Sequence, residues 1–236
     1  MRKLRQLPLT FRTHGGRRPG AGRPAGPRPN VRHRARPELS RRHPVHVTLR
    51  LRRELGSLRR RHCYSALWTA WSQVSSELGL RLVHYSVQYD HIHLIVEIES
   101  KMALSRGMQG VMIRMARALN RVLGRRGAVF SDRYHARALR TPREIKNALV
   151  HVLNNRLHHT RERVLRAGFD PYSSAVWFEG WREGVQHWPK ASARPPPVVA
   201  PRTWLLAKSW TLHSAPSLTD VPGSPRAPNR PALSKT

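Results

Sequence analysis

The chain has 236 residues and a formal net charge of +31, because 44 lysines and arginines stand against only 13 aspartates and glutamates. A protein this basic repels itself unless a polyanion neutralises it, so nucleic acid is the expected partner and an anionic membrane surface the alternative. The single cysteine excludes an intramolecular disulfide and a cysteine-based zinc cluster. No long apolar run predicts a membrane span and no charged-then-apolar start predicts a secretory signal, so we expect a cytoplasmic protein without membrane association.

A basic arm precedes the predicted folded part. Residues 1–43 hold thirteen lysines and arginines and one acid, and they are rich in glycine and proline, a composition typical of disorder. Within this arm, residues 15–24 resemble an AT-hook, in which an extended arginine lies in the narrow minor groove of A·T-rich DNA. The resemblance implies that Arg17, Arg18 and Arg23 bind DNA. The alternative is a tail that binds phosphates regardless of sequence.

The folded part is predicted to begin at Pro44 with a strand and a helix. Over residues 45–51 apolar side chains alternate with polar ones, which predicts a strand with one buried face. From about Ser57 to Leu78 apolar residues recur with helical spacing, and Gly79 ends that pattern.

The next two segments form a predicted β-hairpin that carries two histidines on one face. Residues 80–89 and 91–99 have strand character, and Asp90 lies at the turn between them. Apolar residues take every second position of the second strand, so His91 and His93 fall together on the opposite face. Two neutral imidazoles side by side make a partial metal site. The alternative is one locally hydrogen-bonded histidine and one solvated histidine.

Two helices and a further strand complete the predicted domain. Ser100 can cap the first of these helices, and an irregular strand follows within residues 129–139. Thr141 begins the last helix with the pattern of a capping box. One polar row recurs every four residues along this helix: Asn147, His151 and Asn155. We expect this row to face the two strand histidines.

The order strand, helix, strand, strand, helix, strand, helix predicts an α+β fold. It fits an antiparallel sheet with helices on one face, ferredoxin-like or RRM-like, flanked by disordered tails. After the arm we predict a domain over residues 44–165, an aromatic-rich packing segment over 166–190 and a proline-rich tail over 191–236. The tail offers one short helix for docking, from Thr203 to Trp210.

Four stretches of the chain resemble the HUH tyrosine transposases, in particular the REP-associated, insertion-sequence 200-like branch. They are residues 44–48, 85–94, 129–135 and 147–155, and the similarity covers about residues 44–180. The resemblance implies a transposase that cleaves and transfers single-stranded or hairpin DNA in transposition and recombination. It also implies one Mg²⁺ or Mn²⁺ ion, held by two histidines and a polar side chain, that polarises the scissile phosphate.

By this resemblance the metal ligands are His91, His93 and Asn155, with Asn154 as the alternate if the register slips by one residue. Members of the family have a nucleophilic tyrosine one turn before the asparagine, and it forms a 5′-phosphotyrosine link. This chain has His151 at that position. An imidazole can attack phosphorus, but its phosphoramidate is more labile and favours hydrolysis over transfer.

Three interpretations of His151 are open. In the first, which we favour, the chain is catalytically impaired and acts as a DNA-binding protein. In the second, His151 is an extra metal ligand or a base that activates water, which gives a weak nuclease. In the third, Tyr134 is the nucleophile instead. Arg133 and Arg137 are expected to contact phosphate, and the alternative is that both are solvated.

Two other kinds of protein fit the same sequence. One is a non-catalytic DNA-binding repressor derived from a transposase. The other is an RRM-like RNA-binding module, which needs aromatic residues on the exposed sheet face, where this chain has histidines. The resemblance is compatible with a monomer or a homodimer.

Overall fold

A computed structural model describes residues 39–72, 79–159, 169–184 and 196–223 of the protein. The chain divides into two units, Met1–Pro37 and Glu38–Thr236, and every described residue belongs to the second unit. The AT-hook-like segment with Arg17, Arg18 and Arg23 therefore lies outside the described residues.

Four antiparallel strands form one sheet. They are β1 (Val45–Arg50), β2 (Leu80–Val87), β3 (His91–Ile98) and β4 (His135–Ala138), in the spatial order β2-β3-β1-β4. Helix α1 (Arg61–Ser72) lies between β1 and β2 in the chain, and helix α2 (Lys101–Val122) lies between β3 and β4. This order of elements, with β1 and β3 in the centre, is the ferredoxin-like arrangement. The predicted α+β class with an antiparallel sheet is confirmed.

One face of the sheet packs on α1 and α2. Strand alternation sends Val47 and Leu94 to this face, where they share a buried cluster with Trp71 of α1 and Met115 of α2. The Trp71 indole N–H also donates to the Met115 sulfur at 3.4 Å. This cluster is the larger core, and it holds the two central strands in fixed register.

Helix α3 (Pro142–Leu153) covers part of the other face. Ile95 follows Leu94 in β3 and so points away from the larger core, and it shares a second buried cluster with Ile145 and Leu149 of α3. The chain then continues into the short helix α4 (Asn155–His159). The expected helices on one face are thus α1 and α2, and α3 adds a layer opposite them.

The predicted caps fix where α2 and α3 begin. The Thr141 hydroxyl accepts from the Glu144 backbone N–H at 3.2 Å, and the Glu144 carboxylate accepts from the Thr141 N–H at 3.2 Å. Pro142 takes the first helical position. Ser100 caps α2 by accepting from the N–H of Ala103. Both predicted helix starts are confirmed, and the start of α3 sets the position of the side chains along it.

Residues 196–223 pack against the domain. Helix α5 (Trp204–Ala207) and the 3-10 turn Ser209–His213 carry Leu206 and Trp210 into the cluster of α3. The short helix expected in this stretch is therefore present and docks on α3. The boundaries of the predicted arm, domain, packing segment and tail stay predictions. None of the described helices has the length and apolar character needed to cross a membrane.

Candidate active site

The second face of the sheet gathers polar side chains beside α3. Antiparallel register places Thr48 of β1 opposite His93 of β3 on one side and opposite His135 of β4 on the other. Because side chains two residues apart point the same way, His46 and Arg137 share this face with them. The sheet therefore presents imidazoles, a hydroxyl and a guanidinium in neighbouring positions.

Three imidazoles from three elements converge at this place. The Nε2 of His46 lies 3.2 Å from the Nδ1 of His93, and the Thr48 hydroxyl lies 3.3 Å from the same nitrogen. The ring of His151 stands edge-on to both, with centroids 4.6 Å from His93 and 5.5 Å from His46. One nitrogen from each of the three histidines lies within 4.8 Å of the others. This distance suits shared binding of one small ligand or ion.

The electrostatic surroundings keep one of these imidazoles neutral. Burial lowers the pKa of His46 from its usual 6.5 to about 4, and electrostatic interactions with His151, His135 and Arg137 contribute to the lowering. At neutral pH the His46 ring therefore carries no charge, and one of its nitrogens offers a lone pair.

His91 lies beside this group without being part of it. Its ring stands edge-on to that of His93 with centroids 4.9 Å apart, so the predicted shared face of the two histidines is confirmed. Its Nδ1 lies 2.9 Å from the carboxylate of Asp90 at the hairpin turn. The hydrogen bond to His91 is the main cause that lowers the pKa of Asp90. His91 is thus tied to the turn.

The two asparagines after α3 have different roles. The Asn154 amide donates to the backbone oxygens of Ser217 at 2.8 Å and Asp220 at 2.9 Å. Asn155 is buried at the start of α4, and within the described part of the chain its Nδ2 has no hydrogen-bond partner. Asn154 therefore holds the C-terminal segment through its amide N–H groups, and Asn155 stays the ligand that the resemblance implies.

Arg137, Arg133 and Tyr134 occupy three different surroundings. Arg137 lies on the histidine face, is mostly exposed, and pairs with Glu144 at 2.6 Å. Arg133 is exposed just before β4, and its backbone N–H donates to Asp132 at 2.6 Å. Tyr134 packs against the larger core, on the side of the sheet away from the histidines. This placement disfavours Tyr134 as a substitute nucleophile.

A cavity of about 910 Å³ opens beside the three histidines. His46 and His151 form part of its wall, and the C-terminal residues from His213 to Gly223 form another part. Its cationic side chains are Arg137, Arg143, Lys146 and Arg182. A cavity with these groups suits an anionic ligand such as a phosphodiester.

The sequence interpretation did not single out His46 or the C-terminal wall. The alternation of β1 already put His46 and Thr48 on the polar side of that strand. Had β1 been paired with β3, as the ferredoxin-like order requires, His46 would have been predicted next to His93.

Comparison with known proteins gives one family and two similar structures. Residues 40–148 match the family described as Transposase IS200 like, and this match ends three residues before His151. No curated protein matches the sequence. A solved REP-associated tyrosine transposase bound to a REP hairpin is 15% identical with a TM-score of 0.47, over 55% of this chain and 74% of that one. A crystal structure of "a putative transposase" from Deinococcus radiodurans R1 is 15% identical with a TM-score of 0.34, over 46% and 83%.

Proposed function

We propose that this chain, whose residues 40–148 match the family of IS200-like transposases, binds single-stranded or hairpin DNA at the histidine face of its sheet. The observation that carries the proposal is the convergence of His46, His93 and His151 at the wall of a cationic cavity. A phosphodiester placed there would meet imidazoles on one side and guanidinium groups on the other.

Charge supplies most of the affinity for DNA in this proposal. Arg137, Arg143 and Lys146 line the cavity and would neutralise phosphates next to the imidazoles. Arg133 would extend this contact from the loop before β4. The arm with Arg17 and Arg18 would add binding in the minor groove. Such binding weakens steeply as salt concentration rises, because each neutralised phosphate releases counterions.

We propose that a divalent ion binds in the position that the family implies. His91 and His93 stand side by side, and Asn155 is buried just after α3, where its side-chain oxygen would be the third ligand. These three side chains would hold Mg²⁺ or Mn²⁺. When bound, such an ion polarises the scissile phosphate and stabilises the charge that develops on it.

The residue at position 151 determines whether a polarised phosphate can be transferred or only hydrolysed. Its ring is adjacent to His93, where the family has its tyrosine. A link from this imidazole to phosphorus would be hydrolysed readily, so the bond energy needed for strand transfer would be lost. We propose that the chain keeps DNA binding and is impaired in transfer. The alternative to this impairment is a weak nuclease activity, in which His151 takes a proton from the attacking water.

The test is incubation of the full chain with end-labelled single-stranded hairpin DNA and Mn²⁺, with wild type and His151→Tyr in parallel. We expect both proteins to bind the hairpin, and only His151→Tyr to form a covalent protein–DNA adduct. A stable adduct with wild type would overturn the proposed impairment. Nicking by wild type without an adduct would favour the weak nuclease, and the absence of any DNA binding would overturn the whole proposal. Tyr134→Phe is the control, and it should behave like wild type.

A further inference from the structure

One group of nitrogens in the described residues could hold an ion and differs from the ligand set that the family implies. The group is His46, His93 and His151, whose nitrogens all lie within 4.8 Å of one another. Only His93 belongs to both sets, so it serves either the ion that the family implies or the one proposed below. The extra imidazoles come from β1, through its pairing with β3, and from the position on α3 where the family has a phenol.

One distance in this group is close to that of a metal centre. A tetrahedral ion with metal–nitrogen bonds of about 2.0–2.1 Å places two ligand nitrogens about 3.4 Å apart. The observed distance between His46 Nε2 and His93 Nδ1 is 3.2 Å. His151 lies in the last turn of α3 and is only half-buried, so rotation of its side chain can bring its nitrogen closer.

The type of donor selects the type of ion. Three imidazoles suit zinc, cobalt and nickel better than Mg²⁺, which prefers a larger share of oxygen ligands in octahedral geometry. Each imidazole offers one lone pair to an ion when its ring is neutral.

We propose that His46, His93 and His151 bind one transition-metal ion of the zinc, cobalt and nickel class, with its open position toward the cavity. Three protein ligands with one open position is the arrangement of catalytic zinc sites. His46 and His151 both line the cavity, so a ligand in the cavity reaches this position. The proposal rests on the proposed function only for the identity of the fourth ligand, a phosphate oxygen of DNA. His91, bonded to Asp90, is not required.

The competing explanation is a structural one. In that case the 3.2 Å contact is an ordinary hydrogen bond between two ring nitrogens, and His151 only packs against it. The two explanations differ in what they predict for added metal in the absence of DNA, so the test is separate from the test of DNA cleavage.

The experiment is titration of the purified full chain with Co²⁺, followed by visible absorption, with Zn²⁺ and Mg²⁺ as competitors. We expect one Co²⁺ per chain with the intense bands of tetrahedral cobalt. Zn²⁺ should displace it, and excess Mg²⁺ should not. His46→Ala and His151→Ala should each weaken binding about 100-fold or more, since even partners of ligands contribute 10–100-fold. His91→Ala and the exposed His62→Ala should bind as wild type.

Thermal unfolding provides the second measurement. Zn²⁺ should raise the melting temperature of wild type and of His91→Ala, and leave that of His151→Ala unchanged. Because His151 is half-buried near the end of α3, this variant is expected to fold even if His46→Ala does not. The absence of Co²⁺ bands in wild type would overturn the proposal. So would equal loss of binding in His91→Ala and His151→Ala.

Discussion

Asn154 and Asn155 are consecutive residues whose side-chain amides have opposite surroundings. The Asn154 Nδ2 donates to the carbonyl oxygens of Ser217 and Asp220, at 2.8 and 2.9 Å. The Asn155 Nδ2 is buried and, among the residues that the structure describes, has no hydrogen-bond partner. One amide therefore holds the C-terminal segment against the end of α3, and the other has a donor that the fold does not use.

This difference predicts unequal effects on stability. Asn154→Ala removes two hydrogen bonds and leaves two carbonyls without their donor, so it should lower the free energy of unfolding by about 2 kcal/mol. Asn155→Ala removes no hydrogen bond of its Nδ2, so its cost should be less than about 1 kcal/mol. Urea unfolding of the two variants measures both values. An equal loss would show that Asn155 is anchored as firmly as Asn154.

Glu97 is the second anchor of the C-terminal segment. Its buried carboxylate accepts from the backbone N–H of Thr203 at 2.7 Å, from the Thr203 hydroxyl at 2.8 Å and from the N–H of Arg202 at 2.9 Å. Glu97→Gln places an amide among these donors, so we expect a loss of about 2–4 kcal/mol and faster proteolysis within residues 196–223. Limited proteolysis and urea unfolding measure the two effects.

The control for Glu97 is its neighbour Glu99, which is exposed. Glu99→Gln should leave both the proteolysis rate and the unfolding midpoint close to those of wild type. If Glu97→Gln is cleaved no faster than Glu99→Gln, the carboxylate does not hold the segment.

Two glycines of α2 should respond oppositely to the same substitution. A Cβ on Gly107 would lie 2.8 Å from the Cβ of Leu80, at the start of β2, so the helix or the strand must shift. A Cβ on Gly110 would have as its nearest neighbour the guanidinium of Arg114 at 3.6 Å, which can move. We expect Gly107→Ala to destabilise by about 1–3 kcal/mol, and Gly110→Ala to stabilise by up to about 1 kcal/mol. Thermal unfolding of the pair decides this, and stabilisation by both would show that Gly107 is not in close contact.

Local signals in the sequence predicted the elements of this fold well. The caps at Ser100 and Thr141 depend on groups only three residues away, so the sequence contains the whole interaction. The alternation of β3 is equally local, and it predicted that His91 and His93 share a face.

Contacts between distant parts of the chain could not be predicted in this way. Arg59 belongs to a run of arginines that suggests a solvated or phosphate-binding side chain, yet it donates two hydrogen bonds to the buried Asp170, 111 residues away. His46 lies in the site because β1 pairs with β3, and this pairing depends on contacts between distant parts of the chain. The proline-rich composition of the tail likewise gave no indication that residues between His213 and Gly223 line the cavity.

Acid should destabilise this protein through the buried imidazole of His84. Burial lowers its pKa from the usual 6.5 to about 4. Between these values the unfolded chain binds a proton that the folded chain does not, so stability falls as the pH falls through this window. The contribution of His84 should be a loss of about 2 kcal/mol at pH 5 relative to pH 7.5. His84→Gln, which can keep the contact with the Ser174 hydroxyl, should remove that part of the pH dependence.

The measurement is urea unfolding of wild type and His84→Gln at pH 7.5 and pH 5. His84→Gln is expected to be less stable at pH 7.5, because its amide replaces a ring that packs edge-on against Phe178. The informative quantity is therefore the change in the free energy of unfolding between pH 7.5 and pH 5, which should be smaller in the variant. His62 is exposed and lies outside the second buried cluster, so His62→Gln should keep the difference seen in wild type. If this change in free energy is the same in His84→Gln as in wild type, His84 can take up a proton without destabilising the fold.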